Sequence, residues 1–389
     1  MTSSGEKTAM KKIGEQFFRE LNTELLNMGI DLRGKHVDHL CYRVSTDAEY
    51  QEVKTQLCLQ SELLGEAMIA GRPIATFRMN EPFCVDGFSI PLLELPAPKS
   101  NSPYSTGFEH AEVVLKESFE SIEKKYPHCR FEQNGRKNLN PELEVVTPAG
   151  KLKFHHHPLD RILQIEQAHL TDIIFDLDGT LIDSVESVRE VNRQVFSSLL
   201  QREISEEESK KNYRPNFPSL FEAFGIRNPQ DQIKGLQLWS QFARDEICPL
   251  FPGILELLSE LLQQGYRLHL WTARESVSTN AILEHYQLIG FFTSISTASA
   301  ACSKPDFRSL NWNFMSYPAN SVLVLGDSTS DILGAQQIQA LAAGVTWCKH
   351  ANYDNLVSAG MEICFHQIKE VLPWLNHRKT ASTIDFQSK

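Results

Sequence analysis

Residues 171–184 read TDIIFDLDGTLIDS. Ile173, Ile174 and Phe175 form a short apolar run that fits a buried strand, and the run ends in two aspartates spaced by one residue. Side chains alternate along a strand and the chain then breaks into a loop, so Asp176 and Asp178 can both face one pocket at the strand's C-terminal end. Open parallel sheets place their ligands at that end. Gly179 permits a tight turn there. Asp183 or Ser184 can cap the helix that follows, with Glu186 three residues after Asp183. Two close carboxylates can divide the work of a reaction, one attacking as nucleophile and the other handling protons. Together they also make a hard oxygen site for magnesium.

The chain beyond this stretch repeats the strand-then-polar-residue pattern. Apolar positions at Val188, Val191, Val195 and Leu199 predict an amphipathic helix, and further helical segments run to about Cys248. Phe251, Pro252 and Gly253 open a helix over 254–264 that Gly265 ends. A strand over 267–271 ends in Thr272, whose hydroxyl can donate to a phosphoryl oxygen, and Arg274 can either touch phosphate or substrate or form only a surface ion pair. Lys304 precedes Pro305; a lysine reaching a pocket of crowded carboxylates neutralises their charge. The apolar run 321–325 fits a buried parallel strand and ends in Gly326 and Asp327, with Asp331 four residues on. The expected helix after it runs to Gly344, with a last strand starting at Val345.

The four signals in this order resemble the motifs of the haloacid dehalogenase superfamily in its phosphatase form: DLDGT at 176–180, Thr272, Lys304–Pro305, and GDxxxD at 326–331. The resemblance implies a Rossmann-like α/β core with an inserted α-helical cap over about 185–250. It implies that Asp176 forms an aspartyl-phosphate and that Asp178 serves as acid and base. Asp176, Asp178 (through its carbonyl), Asp327 and Asp331 would hold Mg2+, and Thr272, Arg274 and Lys304 would bind the phosphoryl group. An Asp at 178 points to phosphatases and phosphomutases, so a magnesium-dependent hydrolysis of a small phosphorylated metabolite is expected, with a phosphomutase as the alternative.

The first half carries an internal repeat. Apolar positions Ile13, Phe17, Phe18, Leu21, Leu25 and Leu26 predict a helix over 8–28. Strand, helix and three strands then follow over 36–95, and the same order recurs over 107–157. This paired βαβββ pattern, with the strings DHLCYRV, GRPIATFRMNEP, LLELPAPK, GFEHAEVVL and KFHHHPL, resembles the YecM-like branch of the vicinal oxygen chelate superfamily. The resemblance implies an α+β domain whose divalent transition metal would be held by His39, Glu94 and His110. The eighth-strand position falls in 154–157, where no carboxylate stands, and His155 or His157 could substitute. Isomerase or oxygenase chemistry in this half, or ligand recognition alone, are both open.

The expected organisation is thus a first domain over 1–168, a second over 169–375 and a flexible polar tail over 376–389. A net charge of −11 argues against general nucleic-acid binding. No apolar run reaches the length of a membrane helix, and the N-terminus lacks a signal-peptide core. Eight scattered cysteines without a CxxC pair suit a reducing compartment, so a cytoplasmic location is expected. Oligomeric state is not legible.

Overall fold

The computed structural model describes residues 3–69, 71–99, 105–136, 140–214, 217–243, 247–299, 302–311, 318 and 320–385. The chain forms two compact units, Met1–Glu166 and Gln167–Lys389.

The first unit opens with helix α1 (Ser3–Asn27). Phe18, Leu21 and Leu25 are buried, whereas Ile13 and Leu26 are exposed, so the buried stripe is narrower than the apolar spacing predicts. Two sets of elements follow in the same order. The first is β1 (His36–Arg43), α2 (Asp47–Cys58), β2 (Ser61–Ile69), β3 (Arg72–Val85) and β4 (Phe88–Pro96). The second is β5 (Gly107–Val114), α3 (Phe119–Lys125), β6 (Phe131–Arg136), β7 (Asn140–Thr147) and β8 (Gly150–His155). The strands make one eight-stranded sheet in the order β2-β3-β4-β1-β5-β8-β7-β6. β1 and β4 pair in parallel, as do β5 and β8, and β1 meets β5 antiparallel. Each set therefore contributes a half-sheet, and the four central strands carry the residues expected to bind metal. Helix α4 (Leu159–Gln167) ends the unit.

The second unit is built on a parallel sheet. Its elements are β9 (Asp172–Phe175), α5 (Val185–Leu200), α6 (Glu206–Asn212), α7 (Phe217–Ala223), α8 (Pro229–Ala243), α9 (Ile254–Gln263), β10 (Arg267–Glu275), α10 (Ser276–His285) and β11 (Ser294–Ala298). Then come β12 (Val322–Gly326), α11 (Thr329–Gln337), β13 (Leu341–Val345), α12 (Tyr353–Ala359), β14 (Ile363–Phe365) and α13 (Val371–Asp385). The sheet order β11-β10-β9-β12-β13-β14 places β9 between β10 and β12, and both pair with it in parallel. The chain order reverses direction at β9, and the crevice beyond its C-terminal end is where such sheets bind ligands. Between β9 and β10, helices α5 to α8 bury a small core of their own, including Phe196, Leu220 and Phe221.

Two expectations need correction. The helix expected to run to Gly344 ends at Gln337, and Leu341–Val345 is a fully buried strand. Its Ala-Ala-Gly run favours a helix by propensity for alanine, but an interior parallel strand is covered on both faces and small residues fit there. The expected loose tail over 376–389 is helical to Asp385, and residues 386–389 lie outside the described residues. Val371 and Leu375, one turn apart, are buried, and Trp374 packs edge-on to Phe365 at 5.7 Å. Arg378 lies 4.6 Å over the Trp374 ring and donates to the Ala168 carbonyl at 2.8 Å. The polar sequence after 376 belongs to a helix whose first turn is anchored.

Candidate active site

Asp176 follows directly on β9 and is 6% exposed. The loop after it is tight: Leu181 and Ile182 donate to the Leu177 carbonyl, and Gly179 donates to that of Ile182. Gly179 takes φ +81°, and a Cβ there would meet an Asp327 oxygen at 2.2 Å. The glycine thus serves both the left-handed turn and the close approach of a second acidic residue. Gly326, at the end of β12, has the same role for Asp331, whose Cγ would lie 2.1 Å from an added Cβ.

These turns gather three carboxylates. Oxygens of Asp176, Asp327 and Asp331 lie within 4.8 Å of one another. Lys304 Nζ donates to Asp176 Oδ1 at 2.5 Å and also to Asp331 Oδ1. Lys304 is only 3% exposed. Asp331 Oδ2 accepts from the Ser328 amide at 3.0 Å and from its hydroxyl at 2.7 Å, a capping box at the start of α11. Burial first, then the charges of Asp331 and Asp178, push the Asp176 carboxyl up to about 7, against the pull of Lys304. Asp327 is raised well above the carboxylate range by burial and by Asp176 and Asp331. Three like-charged oxygens donors with one lysine among them are a hard-ligand set, and the crowding that disfavours their charge is what a divalent cation relieves. The residues therefore fit magnesium.

Asp178 faces the same cleft but is held differently. Arg274 Nε and Nη2 reach its carboxylate at 3.0 and 2.5 Å, and Ser184 Oγ donates to Oδ1 at 2.5 Å. Burial opposes the charge, yet Arg274 and Ser184 together hold this carboxyl below its ordinary value. Ser184 stands at the start of α5 but makes no side-chain cap bond; its hydroxyl is committed to Asp178. Glu186 does not complete a capping box and pairs with Arg189 and His350.

Asp176, Asp178, Arg274, Lys304 and Asp327 line one cleft of about 290 Å3 together with Asn192, Tyr213, Phe217 and Trp239 of the inserted segment. Thr272 is buried beside it within β10, which runs on to Glu275 and not, as expected, only to 271; its Oγ1 accepts from the Arg274 amide at 3.0 Å. Ser184, Asn192, Tyr213 and Trp239 escaped sequence reasoning. Nothing in the periodicity of the inserted helices marks which residues point inward.

In the first unit, His39, Glu94 and His110 come together as expected. The centre of that cluster, however, is Glu112, which sequence reasoning missed. Its carboxylate lies 3.4 Å from His39 Nε2, 3.1 Å from His110 Nε2 and 2.7 Å from His155 Nε2. Glu94 stands farther from His110 Nε2, at 3.8 Å. Each ring is fixed by its other nitrogen: His39 Nδ1 to Asp38 at 2.9 Å, His110 Nδ1 to Glu109 at 2.9 Å and His155 Nδ1 to Asn140 at 3.1 Å. The three Nε2 atoms are buried and turned toward Glu112. Position 112 was legible in principle, two residues after His110 on the same strand face. His156 turns away and stacks on Phe119 at 4.5 Å.

Residues 6–166 match the family model described as YecM protein, and residues 173–345 match that described as haloacid dehalogenase-like hydrolase. The chain is 30% identical over 190 residues to a phosphoglycolate phosphatase of Vibrio parahaemolyticus, covering 45% of this chain and 83% of the relative. It is 28% identical over 214 residues to a probable phosphatase IndB of Dickeya dadantii, covering 51% of this chain and 91% of the relative. It is 26% identical over 169 residues to the protein YecM of Escherichia coli, covering 39% of this chain and 90% of the relative. The chain belongs to the haloacid dehalogenase-like hydrolases, as an enzyme of their phosphatase kind, and carries a YecM domain ahead of its hydrolase domain.

Proposed function

We propose that the second unit hydrolyses a small phosphate monoester through an aspartyl-phosphate on Asp176, with helices α5 to α8 acting as the cap over the cleft. The supporting observation is the strand-end Asp176 with Lys304 at 2.5 Å and two further carboxylates around it. Asp176 attacks phosphorus in line as the ester oxygen leaves. Asp178 donates a proton to that oxygen and then takes one from the water that releases phosphate. Lys304 and Thr272 hold phosphoryl oxygens, and Arg274 orients the neighbouring carboxylate. Asp176, Asp327 and Asp331, with the Asp178 carbonyl, would hold Mg2+, which supplies positive charge where two anions must meet. The relatives named above suit a small phosphorylated metabolite as substrate. The test is phosphate release from p-nitrophenyl phosphate and a panel of small phosphate esters, with Mg2+ and with EDTA, on wild type and Asp176→Asn. Mg2+-dependent turnover lost in the variant is expected; no turnover on any ester overturns the reading in favour of a phosphomutase or an inactive domain. None of the eight cysteines forms a disulfide among the described residues, and we place the protein in the cytoplasm.

A second reading concerns the first unit. Three buried, oriented imidazoles converge through Nε2 on one carboxylate, and that donor set suits a divalent transition metal. We infer that His39, His110, His155 and Glu112 hold such a metal, with the expected ligand Glu94 within 4.8 Å of His39 and His110. Cobalt titration of the full-length Asp176→Asn protein, followed by visible absorption, tests this. Saturable absorption lost in Glu112→Gln and His155→Ala is expected; absorption unchanged in both variants refutes it.

A further inference from the structure

The acid–base carboxylate of the second unit is not held by the sheet core alone. Its partner Arg274 is 3% exposed, and the guanidinium lies 5.2 Å over the ring of Trp239, on helix α8 of the insert. The indole is fixed in turn, because Trp239 Nε1 donates to Asn192 Oδ1 on α5 at 2.9 Å. Asn192 and Trp239 are 3% and 4% exposed. Phe217 packs edge-on against the indole at 5.4 Å. A side chain as long as arginine has many rotamers, and a planar cation needs a planar support to stay in one of them. Here the inserted helices supply that support, and the core supplies the carboxylate.

The bonding leaves a particular oxygen free to work. Asp178 Oδ1 accepts from Arg274 Nη2, from Ser184 Oγ and, at 3.2 Å, from Arg274 Nε, whereas among the described residues Oδ2 accepts from Arg274 Nε alone, at 3.0 Å. A carboxylate oxygen has two lone-pair sites, so Oδ2 keeps one for a water proton. We propose that Asn192 and Trp239 are positioning residues which, through Arg274, hold Asp178 as the base for hydrolysis of the aspartyl-phosphate. In that step water oxygen bonds to phosphorus, its proton passes to Asp178 Oδ2, and the bond from phosphorus to the Asp176 oxygen breaks. Inorganic phosphate leaves and Asp176 is again a carboxylate. The inference rests on the phosphatase reading given above.

The experiment is stopped-flow hydrolysis of p-nitrophenyl phosphate by the full-length protein with excess Mg2+. This leaving group departs without needing a proton, so the first step is insensitive to Asp178 and the second is not. Trp239→Leu should give a burst of p-nitrophenolate near one per active site, then turnover slowed roughly tenfold or more. The acid-quenched enzyme should carry the phosphoryl group, seen by intact mass. Trp239→Phe, which keeps an aromatic face, should recover most of the turnover, and Asn192→Ala should fall between. Asn192→Ala also serves if Trp239→Leu does not fold. A loss that falls equally on burst and turnover, or turnover unchanged in both Trp239→Leu and Asn192→Ala, overturns the inference. Asp178→Asn separates the two levels of failure. If it accumulates phosphoryl-enzyme while the insert variants do not, only the positioning role fails. If it turns over like wild type, the acid–base role of Asp178 fails first.

Discussion

Replacing Lys304 by methionine keeps the length of the side chain and removes the one cation between Asp176 and Asp331. The lysine is 3% exposed, and Asp327 lies in the same cluster, so the variant leaves two buried carboxylates and a half-buried third without it. Removing one partner of a buried ion pair costs about 3–5 kcal/mol, mostly from the charge left behind. The remaining groups can escape part of this by taking up protons, and that determines the pH dependence. Asp176 is already pushed up to about 7 by burial, Asp331 and Asp178, and Lys304 is what pulls it down. Without the lysine the folded state binds more protons than the unfolded chain, whose carboxyls titrate near their ordinary ~4. Stability then falls as pH rises through that window and beyond 7. At pH 8 in EDTA the melting transition of the second unit should drop by roughly 6–20 °C, taking about 2–4 °C per kcal/mol for a unit of this size. At pH 6 the gap should be smaller. Added Mg2+ should narrow it at both pH values, because a cation on the three aspartates replaces the missing charge. Thermal melts of wild type and Lys304→Met by circular dichroism, in EDTA and in Mg2+ at both pH values, measure all of this. A variant as stable as wild type at pH 8 in EDTA, or a gap that does not change with pH, would refute the argument.

Three further outcomes follow from the same geometry. Gly179→Ala places a Cβ 2.2 Å from an Asp327 oxygen at φ +81°, with strain of about 1–2 kcal/mol from the dihedral alone, so phosphatase turnover should collapse while far-ultraviolet circular dichroism is preserved. Gly326→Ala drives Asp331 away from Lys304, and a titration of activity should show a higher Mg2+ concentration at half-maximum. Asp172 is fully buried between Arg267, at 2.6 Å, and His269, at 2.9 Å. Burial would raise its carboxyl, but His269, Arg267 and Thr171 lower it to about 2. Its contribution is therefore complete above the ordinary pKa near 4 and is lost as pH falls toward 2. Urea denaturation should find Asp172→Asn destabilised by about 2 kcal/mol at pH 7, with the difference shrinking below pH 4.

The first and last phosphatase motifs were legible because Asp176 and Gly326–Asp327 sit at strand ends of the parallel sheet, where local pattern and position in the fold coincide, whereas Thr272 lies inside β10 and Lys304 in the stretch after β11. An apolar run ending in Asp176 or in Gly326–Asp327 carries its own explanation. The histidine site was only half legible. His39 and His110 stand on paired strands of the repeat, but Glu112 becomes the centre only when β1, β5 and β8 lie side by side. The helical tail and strand β13 were misread for a common reason. Their composition is polar or alanine-rich, and what decides them is the surface they pack against: Phe365 under Trp374, and α11 and α12 around β13.

Local pattern alone marked the repeat of the first unit, the two strands ending at Asp176 and Gly326, and the four motifs that define the hydrolase site. These depend on hydrophobic period and on turn residues, which are local quantities. Only the tertiary structure decided which oxygens share a lysine, that Ser184 serves Asp178 and not its own helix, and that Trp239 from a distant helix supports Arg274. The lysine and tryptophan pairings join residues tens of positions apart, and Ser184 reaches Asp178 across a loop of six. Burial then makes each of them costly to leave unmade, and no spacing in the chain encodes that requirement.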